Sequence, residues 1–194
     1  LAQSNNVTVN TIFQSIWAIQ LGRYNNVDDV VFGFIVSGRT TQLSGIDEMV
    51  GLFINAVPLR VNTIHEKRYS EVLRRIKSDF NESEPYHYCP IAEVQKLTEV
   101  GVGLINGLMV FENYPVDQDT INKDIQDQVN LSILSSQIFE ETNYSLNIKV
   151  IPGPGERLAV IFDYNDGIYG EEEVGKMKSH FLHILNQVID RQDI

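Results

Sequence analysis

Two histidines near the end of the chain have the spacing of a metal-binding pair. His180 and His183 are three residues apart, so a helix would carry both imidazoles on one face, where they could ligate zinc. The structural interpretation is that both decorate a helix whose apolar side includes Phe181. His65 and His87 stand alone among polar neighbours and are expected to be solvated. The histidines therefore predict neither a metal site nor a catalytic residue in this chain.

Three other segments contain residues that could react or bind a ligand, but each is interpreted as structural. Cys89 lies against Pro90 and is predicted to be a packed, inert thiol. Residues 163–167 resemble the start of a calcium loop, but the glycine comes one position too early, so an ordinary turn is predicted. Residues 152–155 lack the Gly-Lys-Ser/Thr ending of a phosphate-binding loop. No Gly-x-Ser-x-Gly elbow supplies a hydrolase nucleophile.

A polar segment, Ser37-Gly38-Arg39, follows an apolar run, and Asn55 closes the next apolar segment. The architectural interpretation is that Gly38 permits a tight turn and that Arg39 pairs with one of the nearby carboxylates. Gly51 is predicted to allow close backbone packing.

Hydrophobic periodicity predicts the elements that position these side chains. Helices are predicted from an N-cap at Thr8 to a stop at Gly22, over Tyr69–Phe80, from Pro90 onward and over Glu171–Ile189, with a helical turn at Ile46–Val50. Strands are predicted over Val30–Val36, Ala56–Asn62, Leu104–Tyr114, Val129–Phe139, Tyr144–Ile151 and Arg157–Tyr164, with a surface loop at 116–126. The pattern indicates one α/β unit over residues 1–194 without an internal linker, with a mixed, largely antiparallel sheet.

Composition excludes several classes of partner. The formal net charge of −11 argues against nucleic acid, because phosphate backbones need clustered Lys and Arg. No apolar stretch reaches the roughly 18 residues that a membrane span requires. The single cysteine also bears on cellular location. It cannot form an internal disulfide, and this predicts a cytoplasmic location. The chain begins at Leu1 rather than Met, which is typical of a fragment.

Residues 50–56, Val-Gly-Leu-Phe-Ile-Asn-Ala, resemble the fifth core motif of condensation domains from nonribosomal peptide synthetases. That motif is roughly Ile/Val-Gly-x-Phe-Val-Asn-Thr, and Ala56 is the departure from it. Residues 28–39 are similar to the run after the family's fourth motif. Residues 86–93 are loosely similar to its sixth motif, and residues 111–115 match a frequent strand-end sequence. Residues 139–146 stand where the seventh motif belongs but lack its Arg-Asp start. The order of these segments covers the whole chain.

The resemblance implies the C-terminal lobe of a condensation domain, with a chloramphenicol acetyltransferase-like two-layer sandwich. The implied reaction joins an acceptor aminoacyl amine to a donor peptidyl or aminoacyl thioester, each tethered by phosphopantetheine to a carrier domain. The implied partners are the N-terminal lobe, peptidyl carrier domains and a neighbouring adenylation domain. The family's catalytic His-His-x-x-x-Asp-Gly motif is absent from these 194 residues, so the chain alone is expected to be inactive.

The resemblance also places a set of residues on the wall of the tunnel between the two lobes. There a Ser hydroxyl or an Asn amide could bind a pantetheine amide or the forming peptide carbonyl. For Asn55, tunnel lining and architecture remain equally open. The tunnel-lining residues implied are Ser37, Arg39, Gly51, Phe53 and Asn55.

Two alternatives belong to other functional classes. One is the C-terminal lobe of an epimerization domain, which shares the fold and the histidine motif. The other is a non-catalytic module that binds carrier proteins.

Overall fold

A computed structural model describes residues 1–39, 44–66, 68–112, 142–153 and 157–191. The helices are α1 (Val9–Asn25), α2 (Tyr69–Ser83), α3 (Ile91–Lys96) and α4 (Glu171–Asp190), with 3-10 turns at Ile46–Glu48, Glu84–Tyr86 and Gly101–Leu104. The strands are β1 (Asp29–Val36), β2 (Asn55–Asn62), β3 (Gly107–Phe111), β4 (Leu146–Pro152) and β5 (Leu158–Tyr164).

The strands form one mixed sheet in the order β2-β1-β3-β4-β5. β1 is antiparallel to β2 over eight residue pairs, and β4 is antiparallel to β5 over seven. The parallel pairings of β1 with β3 and of β3 with β4 cover two and five pairs. Antiparallel pairing therefore predominates in the described sheet, as predicted. Because β1, β3 and β4 are mutually parallel, their carboxyl ends at Val36, Phe111 and Pro152 share one edge.

Helix α1 begins where the sequence predicts and ends later than predicted. The Thr8 hydroxyl caps its first turn by accepting a backbone N–H. The predicted stop at Gly22 is wrong, because α1 continues to Asn25 and ends at Asn26 in the left-handed region with φ 53°. Gly22 instead permits a close approach, since a Cβ there would lie 2.8 Å from the carbonyl oxygen of Val27.

Helix α1 lies at the centre of a helical layer over the sheet. It packs against β1, α2 and α4. The ring of Phe13 stacks on Phe181 of α4 at 6.0 Å, and Trp17 meets Phe162 of β5 edge-on at 6.4 Å. Phe181 is fully buried. These contacts give the predicted two-layer α/β sandwich a single aromatic core between its helices and its sheet.

Four predicted elements differ from the described structure or lie outside it. The strand predicted over Leu104–Tyr114 is wrong at its start, because Gly101 has φ +59° and Gly101–Leu104 form a 3-10 turn, so β3 begins only at Gly107. The helix predicted over Tyr69–Phe80 extends three residues further, to Ser83. The predicted strand Val129–Phe139 and loop 116–126 lie outside the described residues.

No helix in the described part of the chain is both long enough and apolar enough to cross a membrane.

Candidate functional site

The five residues implied as tunnel lining come together where β1 ends and β2 begins. Val36, the last residue of β1, pairs with Asn55, the first residue of β2. Ser37, Gly38 and Arg39 leave β1 at this point, and Gly51 and Phe53 lead into β2. We call these six residues, Ser37, Gly38, Arg39, Gly51, Phe53 and Asn55, the β1–β2 corner.

Gly38 brings the two sides of the β1–β2 corner into contact. Its φ is +67°, a conformation that glycine adopts without strain. A Cβ at Gly38 would lie only 1.7 Å from the carbonyl oxygen of Phe53. Position 38 therefore requires glycine for both a conformational and a steric reason.

Arg39 holds the loop between β1 and β2 through backbone carbonyls. Its guanidinium donates to the carbonyl oxygen of Ile46 and, at 3.0 Å, to that of Met49. Its Cζ also lies 4.6 Å from the centre of the Phe53 ring, a cation–π contact. Among the described residues, Arg39 bonds to carbonyls at the start of the 3-10 turn and just after it, and not to the carboxylate that was predicted.

Asn55 joins the β1–β2 corner to the segment that resembles the sixth motif. Its side-chain Nδ2 donates to the carbonyl oxygens of His87 and Cys89, each at 2.8 Å. An amide NH2 has two hydrogens, so both are used within the protein. The amide NH2 of Asn55 therefore has an architectural role in this structure.

Ser37 and Gly51 are the two exposed residues of the β1–β2 corner. The exposed Ser37 hydroxyl accepts the N–H of Arg39 at 3.3 Å, which leaves its own hydrogen able to donate outward. Gly51 is exposed, and a Cβ there would meet the Phe53 ring at 3.2 Å. The predicted close backbone packing at Gly51 is therefore wrong, because its near neighbours are atoms of the Phe53 side chain.

His87 is buried, so the prediction that it is solvated is wrong. Its side chain is 9% exposed, and Nε2 lies 3.0 Å from the hydroxyl of Ser83. Its ring packs edge-on against Phe80 at 5.2 Å and Phe34 at 5.9 Å. Desolvation lowers the pKa of His87, and the charge of Glu84 opposes that shift. The signal missed in the sequence was the helical spacing of Phe80, Ser83 and His87.

The remaining histidines and the thiol lie away from any catalytic arrangement. His180 Nδ1 is 2.7 Å from the hydroxyl of Tyr24, and both side chains are exposed. His183 and His65 are exposed too, which confirms the interpretations given to them. Cys89 is half-buried.

The calcium-like segment forms the turn that the sequence predicts. Asn165 Oδ1 accepts the N–H of Gly167 at 2.9 Å, and Asp163 pairs with Lys149 at 2.7 Å. No group of three potential metal ligands occurs in the described residues.

Apolar side chains stand exposed beside the β1–β2 corner. Val50 and Leu52 are 103% and 91% exposed, and Ile54 is half-exposed. Three such side chains in one short loop make an apolar surface of the kind that marks a binding or interaction site.

The model of the condensation domain family matches residues 1–193. The chain belongs to the condensation domain family. Its curated relatives include bacitracin synthase 3 of Bacillus licheniformis, with 37% identity over 193 residues, and tyrocidine synthase 2 of Brevibacillus parabrevis, with 38% over 194. These matches cover 100% of this condensation-domain chain but only 3% and 5% of the two relatives.

Solved structures from peptide antibiotic biosynthesis share the fold. The first condensation domain of the calcium-dependent antibiotic synthetase, in complex with a substrate analogue, matches 96% of this chain and 41% of its own, with a TM-score of 0.70 and 20% identity. The X-domain from teicoplanin biosynthesis matches 98% and 43%, with a TM-score of 0.73 and 14% identity. The chloramphenicol acetyltransferase-like fold class inferred from the sequence is thereby confirmed.

Proposed function

We propose that residues 1–194 form the C-terminal lobe of a condensation domain in a nonribosomal peptide synthetase, and that the β1–β2 corner is one wall of its substrate tunnel. The observation that carries the proposal is the convergence of Ser37, Arg39, Gly51, Phe53 and Asn55 at one corner, beside exposed apolar side chains. Family membership and the match to about two-fifths of a solved condensation domain support it.

The reaction of the whole domain is amide formation. The acceptor amine attacks the thioester carbonyl of the donor, so a C–N bond forms, the C–S bond breaks, and the amine proton ends on the released thiol. Phosphopantetheine, carried by partner carrier domains, would present each substrate. The corner suits such an arm, because the Ser37 hydroxyl offers a donor and Val50 and Leu52 offer apolar surface.

The proposed contribution of this chain is orientation rather than proton transfer. Arg39 and Asn55 donate to backbone carbonyls, so they shape the wall by holding its loops. Holding two tethered reactants in place is itself a large source of rate enhancement. No histidine of this chain is placed for base catalysis, since His87 is buried against Ser83 and the other three are exposed elsewhere.

The proposed partners are the N-terminal lobe, peptidyl carrier domains and a neighbouring adenylation domain. Titration of a holo carrier protein against the purified chain measures the docking part of the proposal directly. Saturable binding is expected, and the absence of any binding would remove carrier docking from the role of this lobe.

A condensation assay tests whether this lobe forms the amide bond without the N-terminal lobe. The purified chain is mixed with donor-loaded and acceptor-loaded carrier proteins, and the amide product is measured by mass spectrometry. No product above the rate without protein is expected, whereas the complete domain should form it. If the complete domain instead exchanged the α-proton of a carrier-bound peptide without forming an amide, it would be an epimerization domain.

A further inference from the structure

A second groove, of about 850 Å³, opens at the same edge of the sheet as the β1–β2 corner. The first turn of α1, the second half of α2, and the ends of β3 and β4 form its walls. β1 and β3 pair as far as Phe34 and Met109. The groove and the corner therefore lie at the carboxyl ends of neighbouring strands.

The floor of the groove is apolar. Val7, Phe80 and Phe111 line it, and all three are partly buried against the hydrophobic core. Leu158 at the start of β5 adds a further exposed apolar side chain. Such a surface binds an aliphatic or aromatic group by removing it from water.

The charged residues that line the groove are all cationic. Lys77 and Arg157 line it together with neutral side chains, and no Asp or Glu is among its described lining residues. This is unusual in a chain with 26 acidic residues and a net charge of −11. Lys77 Nζ donates to the carbonyl oxygen of Asn6 at 2.5 Å, which fixes the ammonium at the rim of the groove.

Two groups of hydrogen-bond donors reinforce the cationic character. The first turn of the 17-residue helix α1 lines the groove, and the N-terminus of a helix favours anions. Gln14, one turn further along α1, also lines the groove and is 2% exposed. Its buried Nε2 has no hydrogen-bond partner among the described residues, which leaves an unsatisfied donor in the wall of the groove.

From these features we propose that the groove binds an aliphatic carboxylate. The hydrocarbon chain packs on Phe80 and Phe111, and the carboxylate is held by the charges of Lys77 and Arg157 near the start of α1. This binding goes beyond the proposed tunnel wall, because it requires neither a carrier domain nor another lobe.

Isothermal titration of the purified chain with octanoate, octylamine and octanol tests the assignment. We expect saturable binding of octanoate below about 10 mM and at least about tenfold weaker binding of octylamine. Arg157→Gln and Lys77→Gln should each weaken octanoate binding by about twofold to fivefold. The matched control is Lys178→Gln, an exposed cation on α4, which should leave binding unchanged.

Because Arg157 is exposed, its variant should fold normally even if the Lys77 variant does not. The assignment is overturned if octanoate does not saturate, if octylamine binds as well as octanoate, or if Arg157→Gln binds octanoate like the unaltered chain. Failure of this test leaves the condensation assay unaffected, since no carrier-loaded substrate is involved.

Discussion

The side-chain amide of Asn55 donates to the backbone carbonyl of His87 at 2.8 Å. This bond, with its companion to Cys89, ties the start of β2 to the turn before α3. The ring of His87 is in turn packed between Phe34 and Phe80. The β1–β2 corner is therefore fixed to the hydrophobic core through a backbone segment 32 residues further along the chain.

Replacing Asn55 with Ala should destabilise the chain by about 1–3 kcal/mol, because two carbonyl groups would lose their donor. Denaturant unfolding measures this change. Asn62→Ala is the matched control at the other end of β2. Among the described residues, its side chain bonds to the exposed carboxylate of Asp29 and to the loop N–H of Ile64. Equal losses in the two variants would contradict the anchoring role of Asn55.

Replacing Gly38 with Ala should lower the free energy of unfolding more than the same change at Gly45. Both glycines have positive φ, +67° and +78°, so each substitution incurs backbone strain of about 1–3 kcal/mol. Only at Gly38 does the new Cβ also collide with the Phe53 carbonyl, whereas the space around Gly45 is open. The difference between the two unfolding free energies measures the collision, and a difference near zero would refute the close approach.

Replacing Arg39 with Lys should loosen the loop between Ile46 and Phe53. Lysine keeps the charge but loses the planar fork that reaches two carbonyls and stacks on the Phe53 ring. Hydrogen–deuterium exchange of that loop should become faster, with a loss of global stability of about 1 kcal/mol or less. Arg74→Lys is the control, because the bond that Arg74 makes among the described residues lies within its own helix. Unchanged exchange in the Arg39 variant would argue against the loop-holding role.

His87 should make the chain sensitive to mild acid. Its pKa is lowered in the folded state by desolvation, so the unfolded chain binds the proton more tightly. The stability that neutral His87 contributes is fully present above about pH 6.5, the pKa of histidine in the unfolded chain. It is lost as the pH falls through the lower pKa that His87 has in the folded chain. Glu84 is the acidic side chain whose charge reduces this effect.

The measurement is the unfolding free energy of the unaltered chain and of His87→Gln between about pH 7.5 and about pH 5. The unaltered chain should lose more stability across this range than the variant. His65→Gln, at an exposed position, should behave like the unaltered chain. Identical pH profiles for all three proteins would show that His87 is not buried as a neutral side chain.

The sequence predicted the family, the two-layer fold and most of the elements, because motif order and hydrophobic periodicity both act over short stretches. The family resemblance named five of the six residues of the β1–β2 corner, and their role as tunnel lining stays a prediction. The sequence did not predict the partner of Arg39, since the path of the loop after Ile46 decides which carbonyls are in reach.

The burial of His87 was missed for a related reason. Its immediate neighbours, Tyr86 and Tyr88, are exposed, and only the turn that continues α2 directs the ring inward. A hydrogen bond between residues far apart in the chain, such as that of Asn55 with His87, cannot be predicted from local sequence patterns.

The rate of amide formation by the complete condensation domain carrying Ser37→Phe tests the tunnel wall most directly. Ser37 is exposed at the corner, so a larger side chain should leave folding intact and obstruct the tunnel. We expect a rate reduced by at least about tenfold with an unchanged melting temperature, while Ser179→Phe on the exposed surface of α4 retains the full rate. A Ser37→Phe domain that condenses its substrates at the unaltered rate would contradict the placement of this corner on the substrate path.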